Sequence, residues 1–260
     1  MKQQVERNRR KAFLGLQLKY TLAPIVWLYA GVFAVLLGLF LYNWVTAVKK
    51  IEGEVSFLEQ AKVLPLGIAF WILVMGVQVI LAVGFRKQTK NELAMQRVPL
   101  PEETKRVLRW SYSLLVTVSA FLVYFVMLCL LLLLENILDP SSAYGGAELY
   151  PVFYTFTHLY RLYPVANGMA AFALPIVVVG VAAIAPMAAD KGWHKWGSGV
   201  WIVFLCITFI FYCFENQGMG YLLMDLVCMV IYGVSYMGSV ISAYRRRQKD
   251  DGAELDECVV

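Results

Sequence analysis

The chain has 260 residues, is 60% hydrophobic and 16% charged, and has a mean hydropathy of +0.63. That is too apolar for a fold around one aqueous core, so the solvent to reason with is the bilayer. The net charge of +5 has no groove-binding or base-stacking module beside it, which excludes nucleic acid and leaves topology and anionic lipid headgroups as its meaning.

In chain order, residues 1–19 carry Arg7, Arg9, Arg10, Lys11 and Lys19 beside Val5, Ala12, Phe13 and Leu16 at roughly helical spacing. This pattern predicts a cytoplasmic amphipathic helix lying on the inner leaflet. A first apolar run follows from Tyr20 to Val45, longer than the core of a signal peptide and without its small-residue exit site. Within it Ala30, Ala34 and Gly38 recur every four residues, a stripe that lets another helix approach closely.

A hydrocarbon core of about 30 Å takes roughly 20 apolar residues per helix. Five more runs meet or approach that length: Leu64–Phe85, Trp110–Leu134, Ala166–Ala189, Gly197–Phe214 and Tyr221–Tyr244. The expected fold class is therefore an all-α membrane protein with six transmembrane helices, in which residues 20–245 form one domain and 246–260 a disordered tail. Nineteen of the 23 Lys and Arg residues fall on one side of such a topology, which places both termini in the cytoplasm.

The loop 86–109 between spans 2 and 3 is basic and divided by prolines. Pro99 disfavours helix at Val98, while Pro101 suits the first turn of a new helix and Glu102 and Glu103 complement the positive end of its dipole. If that helix runs unbroken from Pro101 to Leu134, it is about 51 Å long, about 20 Å more than the hydrocarbon. A cytoplasmic partner can grip such a raised stem.

The outer segment 136–165 packs Tyr144, Tyr150, Phe153, Tyr154, Phe156, Tyr160 and Tyr163 into a short stretch. Aromatics at that density predict an interfacial belt at headgroup depth, with a gate or substrate-entry lip as the alternative. Span 4 contains Gly168, Pro175, Gly180 and Pro186 and is expected to be bent, each proline removing one backbone donor. Pro175, and the acidic residues Glu215 and Asp225 at the outer hairpin of spans 5 and 6, are the candidate pathway or gate residues, because carboxylates near hydrocarbon are costly. A shallow position in reach of water is the alternative for both acids, and the same explanation serves Glu135 at the end of span 3.

Cysteines 129, 206, 213 and 228 lie in apolar runs, where a thiol behaves as a small hydrophobe, and Cys258 sits near the end of the chain. His158 and His194 fall on opposite sides of the topology and neither has a second ligand at metal spacing. No disulfide framework, metal site or catalytic cluster of acids, histidines and nucleophiles follows, so an enzyme is not expected.

Taken together, a basic amphipathic helix, six spans with both termini inside, and Glu92, Leu93, Pro99 and Leu100 followed by Lys105 and Arg106 resemble the permease subunits of ABC-2-type exporters. The resemblance implies that loop 86–109 contains a coupling helix, with Glu92, Leu93, Arg97, Pro99, Leu100, Lys105 and Arg106 contacting a separate ATP-binding-cassette ATPase. It also implies a second permease, identical or not, beside span 1, and a multi-pass place in a bacterial plasma membrane. The chain has no G-x-x-x-x-G-K-[ST] loop, so ATP and magnesium are expected in the partner and no cofactor here. The alternative is a membrane scaffold or sensor subunit whose basic loop binds lipid or a signalling partner.

Overall fold

The computed structural model describes residues 2–48, 63–85, 99–138, 162–163 and 173–189, with residues 202–203, 205–207, 209–210, 238 and 241 in short pieces. Helix α1 is Lys2–Val48, α2 is Val63–Phe85, α3 is Glu102–Leu138, α4 is Ala173–Ala182 and α5 is Ile184–Ala189. The first three are long and apolar enough to cross a membrane, and no strand occurs among the described residues.

Helix α1 departs from expectation. Its 47 residues form one helix of about 70 Å, so the boundary expected at Tyr20, between a helix lying on the leaflet and a span, is absent. A helix that runs unbroken into a span cannot also lie in the plane of the surface. Pro24 sits inside it at an exposed position, where its missing N–H removes one bond on the outer side without ending the helix.

Packing side by side explains the continuity. Thr21 Oγ1 and Tyr112 Oη are 2.6 Å apart, Tyr29 Oη and Ser119 Oγ 3.0 Å, and an Arg9 guanidinium nitrogen donates to the Pro99 carbonyl at 3.4 Å. The partner of each α1 residue lies 90 or 91 positions further along the chain. A constant offset means that α1 and α3 run parallel and in register. Helix α2 runs against α1: a Cβ added at Gly84 would meet Thr21 at 3.1 Å, and one at Gly76 would meet Leu28 at 2.8 Å.

Helix α3 sorts its residues onto two faces. Leu115, Val118, Leu122, Val126, Leu130, Leu133 and Ile137 recur at helical spacing and are exposed, as expected for a face turned to lipid. On the opposite face Val116, Ala120, Tyr124, Leu128 and Leu131 are buried. Among them the Phe70 ring of α2 meets Phe121 edge-on at 5.0 Å, Tyr124 at 4.9 Å and Phe209 at 5.8 Å, spacings at which aromatic pairs add about 0.5–1.5 kcal/mol to area burial. Tyr124 also donates its hydroxyl to the Leu66 carbonyl at 2.8 Å, so the ring is held at both ends.

Candidate functional site

Two regions join polar groups into arrangements that the apolar pattern alone does not explain. The first is the stem, where the basic start of α1 lies along the start of α3. The α3 helix opens after Pro101, whose carbonyl accepts the Lys105 amide at 3.0 Å, and Glu102 and Glu103 occupy its first turn. Pro101 therefore precedes the helix rather than standing inside its first turn. Phe13 and Leu100 are both buried and pack together with Leu16, Tyr20 and Leu108 around them. This small apolar contact, together with Arg9 on the Pro99 carbonyl, clamps the chain entering α3 to α1.

The candidate coupling residues divide accordingly. Pro99 is exposed and Arg106 half-buried. Leu100 faces α1, and Lys105 is buried and bonded to Glu102 at 3.2 Å. Glu92, Leu93 and Arg97 lie outside the described residues. On α1 the cations Arg7, Arg9, Lys11 and Lys19 are exposed, while Arg10 pairs with Glu6.

One turn before Thr21, Gln17 is fully buried and neither of its amide atoms has a hydrogen-bond partner among the described residues. Thr21 itself donates to the Gln17 backbone carbonyl at 2.8 Å. By the shared register Gln17 stands level with Val107 and Leu108 of α3, next to the buried Arg109 in sequence. Sequence gave no sign of this, because a single glutamine in a basic segment reads as solvated.

The second region surrounds the interruption between α4 and α5. Of the two prolines expected to bend span 4, Pro186 stands beside an interruption of the helix among the described residues. Pro175 stands in the first turn of α4 at an exposed position, where no intrahelical donor is needed. Its side chain is exposed and does not face the interior of the described bundle. Pro186 lacks the N–H that would bond the Ala182 carbonyl and its ring crowds that oxygen. The chain tightens instead, with the Ala183 amide on the Gly180 carbonyl at 3.2 Å, and regains regular bonding where the Met187 amide meets the Ala183 carbonyl at 3.0 Å.

The groups freed by the break are taken up by other helices. Ser113 of α3 donates to the Ala182 carbonyl at 2.7 Å, and Gln78 Oε1 of α2 accepts the Ala185 amide at 3.3 Å. Gln78 Nε2 donates to Thr117 Oγ1 at 2.7 Å, and Thr117 in turn donates to the Ser113 carbonyl at 2.7 Å. Gln78, Ser113 and Thr117 are all buried. A backbone break in apolar surroundings is tolerable only where protein groups satisfy it, and two side chains, one from α2 and one from α3, do so here, with Thr117 supporting Gln78.

Two further residues differ from expectation. Glu135 is fully buried, so a shallow, water-facing position does not describe it. Tyr163 is buried and donates its hydroxyl to the Phe121 carbonyl at 2.6 Å, with its ring edge-on to Phe125 at 5.3 Å. Phe121 lies near the middle of α3, so Tyr163 belongs to the core and not to a headgroup belt. Glu215, Asp225 and the remaining aromatics of 136–165 lie outside the described residues. Among the described residues no group of His, Cys, Asp and Glu is arranged to hold a metal. Comparison of the chain with protein-family models, with characterised proteins and with solved structures finds no match.

Proposed function

We propose that the chain is the permease subunit of an ATP-binding-cassette exporter, coupled to a separate ATPase through the segment between α2 and α3. The observation that carries this reading is the paired stem. Helices α1 and α3, about 70 and 55 Å long, both exceed the hydrocarbon thickness of about 30 Å. Their basic ends run together and are clamped by Phe13, Leu100 and Arg9. A lever of two bonded helices transmits displacement better than a loose loop, which suits a permease whose energy source is another polypeptide. In this reading Pro99 and Arg106 meet the ATPase beside Glu92, Leu93 and Arg97, while Leu100 and Lys105 hold the stem in shape.

The same reading gives α1 a second task. Ala30, Ala34 and Gly38 are exposed, and nothing stands within 4 Å of a Cβ added at Gly38, so the small-residue stripe is open to a second permease, identical or not. Both termini are cytoplasmic, the six spans lie in a bacterial plasma membrane, and Glu215 and Asp225 line or gate the path.

The test is copurification of the native complex, followed by ATPase assay. The chain is expected to bring down an ATPase with a P-loop, and Glu92→Lys combined with Leu93→Ala should abolish its stimulated hydrolysis while the spans stay folded. Full stimulation in that double variant would sink the assigned dock. Purification without any ATPase, with lipid binding lost on neutralising Arg97, Lys105 and Arg106, would point to a scaffold or sensor subunit instead.

A further inference from the structure

We infer that the stripe Arg7, Lys11 and Gly15 on the raised end of α1 is a docking face for an acidic protein surface, held beyond the reach of lipid headgroups. The level of the bilayer is set twice. The apolar runs of α1 and α3 begin at Tyr20 and Trp110, 90 positions apart, and the bonds between the two helices show the same offset. Two separate patterns thus place the edge of the hydrocarbon at one height.

From that edge Arg7 and Lys11 stand about 20 and 14 Å away along the helix, while headgroups occupy only about 5–8 Å of each leaflet. Tilting the bundle by about 40° still leaves them about 15 and 10 Å out. The side chains do not close the gap. Cα–Cβ bonds in a helix lean towards its N-terminus, and that end of α1 points away from the membrane.

Arg7 and Lys11 are exposed and make no ion pair among the described residues, whereas Arg10 is matched by Glu6. Level with Lys11 by the shared register, Glu102 is already bonded to Lys105. Four residues apart, Arg7 and Lys11 share one side of the helix, with Gly15 one further turn along. Nothing stands within 4 Å of a Cβ added at Gly15, so packing inside the chain does not call for a glycine there. A glycine in mid-helix weakens the helix, and here it leaves a flat place where another backbone can come close.

Orienting a chain in a membrane needs basic residues near a span but no fixed height for them. Phe13 against Leu100, and Arg9 on the Pro99 carbonyl, nonetheless hold this stripe beside α3. A preformed cationic face suits carboxylates on a facing protein surface. It lies on α1, apart from the segment 92–106 proposed to meet an ATPase, and does not depend on the permease reading.

The full-length protein in phosphatidylcholine liposomes tests both halves of this inference. In a cysteine-free background, a fluorophore at Lys19→Cys should be quenched by nitroxide-labelled headgroups and one at Lys11→Cys should not; equal quenching would lay the stripe on lipid and overturn it. With polyglutamate as the acidic probe, Arg7→Glu combined with Lys11→Glu should weaken binding about tenfold, and Lys19→Glu less than about twofold. Equal losses would reduce the face to diffuse charge. Phe13→Ala, which alters no charge but frees the stem, should weaken binding about threefold, and unchanged affinity would overturn a preformed surface. Tighter binding of polyuridylate than of polyglutamate would overturn the protein partner in favour of nucleic acid.

Discussion

At the residue scale, two glycines on α2 show why a distance must be read with the freedom of the atom it is measured to. A Cβ at Gly76 would stand 2.8 Å from Leu28 Cδ2, closer than the 3.1 Å from a Cβ at Gly84 to Thr21 Cγ2. Leu28 is half-buried and its terminal methyl can swing aside, whereas Thr21 is tied to both the Gln17 carbonyl and Tyr112. Gly84→Ala is therefore expected to destabilise by about 1–3 kcal/mol, as overpacking does, and Gly76→Ala to cost less despite the shorter contact. Thr21→Ser, which removes Cγ2 and keeps the hydroxyl, should rescue Gly84→Ala; thermal denaturation in detergent measures all three. Gln17 leads to the opposite expectation. A buried amide without a partner costs about 1–3 kcal/mol, and Gln17 has none among the described residues, so Gln17→Leu should raise the melting temperature. If the same variant loses activity, the glutamine is kept for function at the expense of stability.

At the element scale, α1 separates what composition determines from what contact determines. The basic stretch 2–19 and the apolar run after it read as two units, because their solvents differ. Helical hydrogen bonding does not register that difference, and the bonds to α3 at Arg9, Thr21 and Tyr29 hold both parts against one neighbour. Phe13→Ala should therefore act locally. It removes the larger half of the contact with Leu100, and limited proteolysis is expected to cut near 99–101 several-fold faster while the melting temperature of the bundle barely moves. A matching fall in global stability would instead make the stem part of the cooperative core. Helix α3 was far more legible. Its acidic first turn and its length beyond the hydrocarbon follow from local signals, while the structure starts it one residue later, after Pro101, and carries it on to Leu138.

At the scale of the whole molecule, the parallel register of α1 and α3 and the opposed course of α2 place the starts of α1 and α3 and the end of α2 together at one end of the bundle. In a membrane these ends share one side. In a cysteine-free background, Lys11→Cys and Glu102→Cys should label with an impermeant thiol reagent from the same face, and Ile137→Cys from the other. Labelling of Lys11→Cys and Glu102→Cys from opposite faces would contradict the bundle geometry. The lipid-facing stripe carries its own expectation. Leu122→Lys places a charge near mid-span, worth about 2.5–3.5 kcal/mol against insertion, and should reduce the fraction of chain recovered in the membrane pellet.

The proposed dock and the residues around the helix break were legible to different degrees for a physical reason. The helix stop and start around Pro99 and Pro101 are read from local chemistry, while the docking role proposed for that segment rests on the resemblance. Ser113, Thr117 and Gln78 are single polar residues in oily runs, and only their convergence on the break at Pro186 gives them a role. Tyr163 resembles its aromatic neighbours in sequence and is distinguished solely by the carbonyl its hydroxyl reaches.

The sequence by itself determined that the described segments are helical and apolar enough for a bilayer, and that the third long helix exceeds the hydrocarbon thickness, since length, hydropathy and proline spacing act within one segment. Tertiary structure alone decided that α1 runs unbroken into its span, that Pro186 rather than Pro175 interrupts the fourth, and that the interruption is held by α2 and α3. Those outcomes depend on which distant residue supplies the missing hydrogen bond, and a linear pattern carries no information about that partner.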